Sequence, residues 1–179
     1  RFILAALAGA GAAHVTGIEA RESLVTNAGE SLTHYGISDD RFQLIVGDIF
    51  EKIHELPENS IDTAMVLGFL YHTVRQYELI AAIAHLGAKA IIVDSNVLEN
   101  VKRPIIRLEW EATTKDGRIW DPSRQKALSS TPSASAIKML LEEFGYDVEV
   151  FEPQGEIPGS AQGYRRGARV TMVGRRPGG

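Results

Sequence analysis

Four apolar, strand-like segments of this sequence are each followed directly by an acidic residue or a glycine. In a parallel sheet, ligands bind at the carboxyl ends of the strands, so these residues are the first candidates for chemistry. A carboxylate there accepts two hydrogen bonds, which suits it to hold both hydroxyls of a ribose. The four strand-end residues are Glu19, Asp48, Gly68 and Asp94.

Glu19 has the spacing of a ribose-binding acid. Such an acid typically lies roughly 20 residues after the start of a glycine-rich loop, and that loop follows a strand. Eighteen residues precede Glu19, so we expect this strand and loop just before Arg1. Gly9 and Gly11 are an alternative loop, although no helix follows them before the next strand. The competing interpretation of Glu19 is a solvated acid at a strand end.

The hydrophobic pattern predicts the elements that position these residues. Strand-like runs alternate with helical stripes, which indicates an α/β fold: a Rossmann-like, doubly wound, mostly parallel sheet. Two final strands follow each other without a helix, which predicts a C-terminal antiparallel hairpin. The predicted strands are 14–18, 42–46, 61–67, 90–93, 146–151 and 168–173, and the predicted helices are 1–8, 21–35, 78–86 and one capped by Ser133.

Length and composition predict one domain, residues 1–179, with an inserted hairpin or lid at 97–132 that turns at Asp116-Gly117. The formal net charge of −4 argues against a dedicated nucleic-acid binder. The absence of cysteine excludes disulfides and thiolate chemistry, and it fits a cytoplasmic location. No apolar run is long enough to span a membrane.

Three segments, in their order and spacing, resemble the class I S-adenosylmethionine-dependent methyltransferases. They are Gly17-Ile18-Glu19-Ala20, Val46-Gly47-Asp48-Ile49 and the run from Met65 to His72. The resemblance covers nearly the whole chain and includes the closing hairpin. The family's first strand and glycine-rich motif are absent from this sequence, and we expect them upstream of residue 1.

This resemblance implies S-adenosylmethionine as cofactor and assigns residues to its parts. Glu19 would hold the ribose, and Asp48 would accept from the adenine amino group. Ile49 would lie beside the adenine ring, and Ala20 would pack near the adenosine. The residues assigned to the methionine side are Leu67, Gly68 and Phe69.

Methyl transfer needs alignment and, for a protonated acceptor, a base. His72 is the predicted general base; the alternative is a structural histidine that caps a helix or bonds the backbone. Tyr71, and Trp110 and Trp120 of the hairpin, are predicted to line an acceptor pocket, although a plain amphipathic hairpin is the favoured interpretation for either tryptophan taken singly. The segment 164–166 is expected to be a solvated turn. Asp94 and Asn96 are similar to metal ligands of catechol-type relatives, but Gly68-Phe69 stands where another carboxylate belongs, so no metal is expected.

Two other function classes remain open. A nicotinamide-dependent oxidoreductase also uses a strand-end acid, but neither Asp48 nor the terminal hairpin is then explained. A non-catalytic module with a methyltransferase-like fold is the second. Within methyl transfer, elimination favours a small-molecule acceptor, since no Asn/Asp-Pro-Pro-aromatic motif and no cysteine occur. Transfer RNA is not excluded as acceptor, and a homo-oligomer is left open.

Overall fold

The computed structural model describes residues 2–113, 123, 125–151 and 162–178. The chain divides into two compact units, Arg1–Leu56 and Pro57–Gly179. Trp120 and the expected turn at Asp116-Gly117 lie outside the described residues. None of the described helices is long and apolar enough to cross a membrane.

The first unit is built around a pair of parallel strands, β1 and β2. Their register runs from Val15 opposite Phe42 to Glu19 opposite Val46. Leu32 of α2 is buried, as the helical stripe predicts. The elements are α1 (Phe2–Gly9), β1 (Val15–Glu19), α2 (Glu22–His34), a 3-10 turn (Asp39–Arg41), β2 (Phe42–Val46), α3 (Ile49–Lys52) and a second 3-10 turn (Ile53–Glu55).

The second unit contains a mixed four-stranded sheet and a separate hairpin. The sheet has the order β3-β4-β8-β7, in which β3 and β4 are parallel and β8 is antiparallel to both its neighbours. The elements are β3 (Thr63–Leu67), a 3-10 turn (Leu70–His72), α4 (Gln76–His85), β4 (Ala90–Asn96), β5 (Ile106–Ala112), β6 (Lys126–Pro132), α5 (Ala134–Glu143), β7 (Asp147–Phe151), α6 (Gln162–Arg165) and β8 (Arg169–Arg175).

The core of the second unit lies against β4, whose Ile91-Ile92-Val93 run is typical of a strand buried on both faces. Ile91 and Val93 of β4 are fully buried. Tyr146 is also buried, and its hydroxyl donates to the Ala88 carbonyl oxygen at 2.9 Å. Gly174 of β8 makes room for this ring, since a Cβ there would lie 2.9 Å from Ile91 Cγ2 and 3.0 Å from Tyr146 Cβ.

Ser133 begins α5, as its residue type predicts. Its Oγ accepts from the Ala136 amide at 3.2 Å and donates to the Arg103 carbonyl oxygen at 2.7 Å. The same oxygen accepts from the Ile105 amide at 3.1 Å. One buried hydroxyl therefore caps the helix and fixes the chain that enters β5.

The alternating α/β pattern and the antiparallel pairing of the last two strands are confirmed. The four-stranded sheet, however, is mixed: β8 lies between β4 and β7 and makes two antiparallel pairs. Within the inserted hairpin, the strand that pairs with β5 is Lys126–Pro132. Polar residues and a terminal proline make this strand weak in β propensity, which concealed it in the sequence.

Candidate functional site

Glu19 and Asp48 lie at the same edge of the first unit. Glu19 is the last residue of β1 and faces Val46, the last residue of β2. The Gly47 amide donates to the Glu19 carbonyl oxygen at 3.1 Å, so the pairing continues to the residue before Asp48. Both strands end at this edge, so the backbones of Glu19 and Asp48 lie at the same end of the strand pair.

The Glu19 side chain is held from its own loop. Its Oε1 accepts from the Arg21 amide at 3.0 Å and lies 3.8 Å from Arg21 Nε. The side chain is 42% exposed, so the carboxylate remains within reach of a ligand. The Glu19 carboxylate is therefore held by Arg21 as well as by solvent. The sequence did not predict these contacts.

Asp48 has a structural role that sequence reasoning missed. It is the N-cap of α3, and its Oδ1 accepts from the Phe50 amide at 3.0 Å. An N-cap aspartate satisfies one of the helix's free amides and fixes its own rotamer. Asp48 is exposed, as is Ala20, whereas Ile49 is half-buried. The signal in the sequence was an Asp directly before a short apolar stretch.

The strand ends of the second unit bring Gly68 to Asp94. The Gly68 amide donates to the Asp94 carbonyl oxygen at 2.8 Å, and Gly68 has a φ of +68°, which favours glycine. Arg169 Nη2 lies 3.7 Å from the position that a Cβ on Gly68 would take. A guanidinium therefore lies beside this glycine, which the sequence did not predict.

Asp94 is buried, and its carboxylate accepts hydrogen bonds from side chains of α6 and β8. Its carboxylate accepts from Thr171 Oγ1 at 2.7 Å and also from the Tyr164 hydroxyl and Arg169 Nη2. Arg169 Nη1 donates to Asn96 Oδ1 at 3.2 Å. Asp94 and Asn96 thus bind a guanidinium in this structure. The expectation that residue 164 lies in a solvated turn is wrong, because the Tyr164 hydroxyl reaches a buried carboxylate.

This cluster keeps its arginine charged. Burial lowers the pKa of Arg169, but the hydrogen bonds from its guanidinium to Asp94 and with Tyr164 outweigh burial and raise the pKa above its ordinary value. The positive charge is matched by the Asp94 carboxylate. Asp94 and Arg169 therefore form an ion pair at the carboxyl end of β4.

His72 forms a second long-range pair with Glu111 of β5. The Leu70–His72 turn follows β3, and His72 Nδ1 lies 2.9 Å from Glu111 Oε2. The His72 side chain is 7% exposed and that of Glu111 is 25% exposed. The Tyr71 ring lies against the imidazole with centroids 4.0 Å apart. The His72 side chain thus pairs with Glu111, and Arg75 occupies the N-cap position of α4.

Buried hydrogen bonds attach the same turn to β6. Gln76 Nε2 donates to the carbonyl oxygens of Leu70 and Ser130, each at 3.0 Å. Ser130 Oγ donates to the Thr73 carbonyl oxygen at 2.6 Å. The hairpin is therefore fixed against the residues around His72.

Trp110 of β5, which was expected to line an acceptor pocket, lies at the surface. Trp110 is 73% exposed and lies opposite Leu128 of β6. It is not among the residues that line a cavity of about 660 Å³ after the end of β4, a size within the range of ligand pockets. Its lining is mostly aliphatic, with one acid and one base: Val97, Leu98, Glu99, Val101, Ile105, Ile106 and Arg107.

No protein-family model matches the sequence, and no curated protein matches it. Solved structures do. The N-terminal domain of EvdMO1, crystallised with SAH (S-adenosylhomocysteine) and D-fucose, has a TM-score of 0.64 and 17% identity over 91% of this chain and 66% of that one. Magnesium protoporphyrin IX methyltransferase (ChlM) from Synechocystis PCC 6803, with bound SAH, has a TM-score of 0.59 and 16% identity over 97% and 68%.

This chain has the class I methyltransferase fold. A methyltransferase from Mesorhizobium loti, S-adenosylmethionine dependent, shares it with a TM-score of 0.59 and 17% identity, over 94% of this chain and 83% of that one. The [4+2]-cyclase SpnF shares it as well, with a TM-score of 0.63 and 16% identity over 97% and 71%. The fold thus includes proteins named for different reactions. The chain spans just under two thirds of the EvdMO1 domain.

Proposed function

We propose that this chain binds S-adenosylmethionine and takes part in methyl transfer to a small-molecule acceptor. The observation that supports this most is the placement of Glu19 and Asp48 at the ends of two paired parallel strands. The fold is shared with proteins crystallised with SAH, the product of that cofactor. We include in the proposal a doubly wound, mostly parallel arrangement of the whole domain.

The proposed cofactor contacts follow from the chemistry of each side chain. The Glu19 carboxylate accepts hydrogen bonds from the two ribose hydroxyls, and the Asp48 carboxylate accepts from the adenine amino group. Ile49 lies beside the adenine ring, and Ala20 leaves space at the adenosine. The residues proposed for the methionine portion are the last residue of β3 and the two that come after it: Leu67, Gly68 and Phe69.

When bound, S-adenosylmethionine supplies a methyl group activated by a sulfonium. The chain's own task is then to align the acceptor, exclude water and accept a proton. His72 is the proposed proton acceptor, because an imidazole nitrogen can accept a proton and this side chain is shielded from bulk water. Tyr71 packs on its ring and restricts its orientation.

The cavity after β4 is the proposed acceptor site. Its aliphatic walls suit an apolar body, while Glu99 and Arg107 offer one acceptor and one donor group for polar substituents. EvdMO1, a neighbour of the same fold, was crystallised in the presence of D-fucose, a small sugar. Trp110 and Trp120 remain predictions as acceptor contacts, since the first is exposed and the second lies outside the described residues.

Isothermal calorimetry tests the cofactor assignment directly. The chain is titrated with S-adenosylhomocysteine and, separately, with NAD⁺. We expect heat and a single site with the first ligand and none with the second, and we expect Asp48→Asn to weaken the binding. Tight binding of NAD⁺, or no heat with S-adenosylhomocysteine, would overturn the proposal in favour of the oxidoreductase or the non-catalytic module.

A further inference from the structure

The contact between His72 and Glu111 determines which nitrogen of the imidazole is basic. Nδ1 lies 2.9 Å from Glu111 Oε2. A carboxylate has no hydrogen to donate, so the hydrogen of this bond belongs to Nδ1. A neutral imidazole with Nδ1–H has its lone pair on Nε2, and Nε2 is then the atom that accepts a proton.

The pair is held on two sides, so its geometry is set before any ligand arrives. On the histidine side, the His72 amide donates to the Phe69 carbonyl oxygen at 2.8 Å. On the glutamate side, Glu111 lies on a strand whose seven residues all pair with β6, from Ile106–Pro132 to Ala112–Lys126. The buried Gln76 bonds that join Leu70 to Ser130 connect the two sides.

We propose that Glu111 is a positioning residue that fixes the Nδ1–H tautomer of His72, and that the acceptor is a hydroxyl compound. This inference rests on the proposed function. A free amine attacks through its lone pair and only an ammonium must first lose a proton, whereas the hydroxyl of an alcohol or phenol is a weak nucleophile until a base takes its proton. The expected reaction is O-methylation.

The proton and electron balance of that step is simple. The acceptor O–H bond breaks as its proton passes to His72 Nε2, and the oxygen forms a bond to the methyl carbon. The carbon–sulfur bond breaks, and its electron pair remains on sulfur. The products are a methyl ether, S-adenosylhomocysteine and an imidazolium, whose charge the Glu111 carboxylate offsets.

Glu111→Gln is the informative variant because it retains the size and a hydrogen bond. A glutamine can accept from Nδ1–H or donate to Nδ1, so it no longer holds the imidazole in one tautomer, and the Nε2–H form, in which Nε2 cannot accept a proton, becomes accessible. Glu109→Gln is the matched control. Glu109 is two residues away on β5, but its Oε2 accepts from Thr131 Oγ1 at 2.9 Å, and its other oxygen pairs with Arg107.

The first readout is the tautomer itself, measured by ¹⁵N NMR of the imidazoles at a pH where they are neutral, with His72 assigned from His72→Gln. We expect Nδ1–H in the wild type and in Glu109→Gln, and the Nε2–H form or a mixture in Glu111→Gln. An Nε2–H tautomer in the wild type, or no change in Glu111→Gln, would overturn the inference.

The second readout separates positioning from mere structure. Transfer from tritiated S-adenosylmethionine is measured with D-fucose and simple phenols and with their amino counterparts. We expect methylated hydroxyl probes, a fall in kcat of roughly 100-fold or more in Glu111→Gln, and an unchanged KM for the cofactor. Methylation of the amines alone, no transfer to any hydroxyl probe, or equal loss in Glu109→Gln counts against the inference.

Calorimetry with S-adenosylhomocysteine keeps the two proposals distinguishable. Absence of binding in the wild type refutes the proposed function. Normal binding in the wild type and both variants, together with an unaffected tautomer in Glu111→Gln, refutes only the role of Glu111.

Discussion

Replacing Glu19 by Gln isolates the charge and one acceptor of the proposed ribose contact. Oε1 already accepts from the Arg21 amide at 3.0 Å. The glutamine amide is therefore expected to keep its oxygen toward Arg21 and to place its NH₂ group at the position of Oε2. That group cannot accept from a ribose hydroxyl. A hydrogen bond to a charged group contributes about 1.5–3 kcal/mol, so we expect affinity to fall about 10- to 100-fold.

The assay is calorimetric titration with S-adenosylhomocysteine at constant ionic strength, with circular dichroism to confirm that the variant is folded. Glu30→Gln is the control, since it removes an equal charge from an exposed position on α2. We expect this control to change the dissociation constant less than about twofold, because exposed distant charges are screened. A Glu19→Gln variant that binds within about threefold of the wild type would refute the assignment of the ribose to Glu19.

Three further substitutions test the packing and electrostatics around the sheet by urea denaturation. Asp94→Asn leaves the partly buried guanidinium without its counter-charge and should lower the free energy of unfolding by about 2 kcal/mol, whereas Asp62→Asn breaks only an exposed pair and should cost less than about 1 kcal/mol. Gly174→Ala should cost about 1–3 kcal/mol because its Cβ would clash in the core. Gly29→Ala should instead add up to about 1 kcal/mol, because its Cβ on α2 would meet only Leu44 of β2 at an ordinary 3.7 Å. Burial raises the pKa of Tyr146, and the opposing effect of nearby Arg176 is smaller. The contribution of the neutral phenol to the free energy of unfolding is therefore complete below pH 10 and is lost as pH rises above that value. Tyr146→Phe should reduce the loss of stability between pH 7 and pH 11. Equal stability of Asp94→Asn and Asp62→Asn would contradict the argument from the counter-charge, and equal stability of the two glycine variants would contradict the argument from packing. Identical alkaline unfolding curves for Tyr146→Phe and wild type would contradict the argument from the tyrosine pKa.

The sequence was sufficient for elements whose pattern is local. The apolar run before Glu19 and the stripe that ends near Tyr35 predicted β1 and α2 to within about a residue or two of their bounds. The shared edge of Glu19 and Asp48 was also predictable, because parallel strands end on one side of a sheet.

Contacts between distant segments were not predictable. His72 and Glu111 are 39 residues apart, and Asp94 and Arg169 are 75 apart. Each pairing depends on the register of an antiparallel ladder, and a one-residue slip would turn the side chain to the other face. Nothing in the local pattern specifies that register, so the ion-pair partners emerged only from the structure.

The N-cap role of Asp48 has a consequence for how this position tolerates substitution. Serine or threonine would still begin α3, yet neither hydroxyl offers a carboxylate's second oxygen to an amino group. Asparagine would also cap the helix, and its amide could donate to a ring carbonyl. Helix integrity and nucleobase preference are thus separable at a single residue, and a hypoxanthine analogue of the ligand would distinguish the two by gaining affinity in Asp48→Asn while adenine loses it.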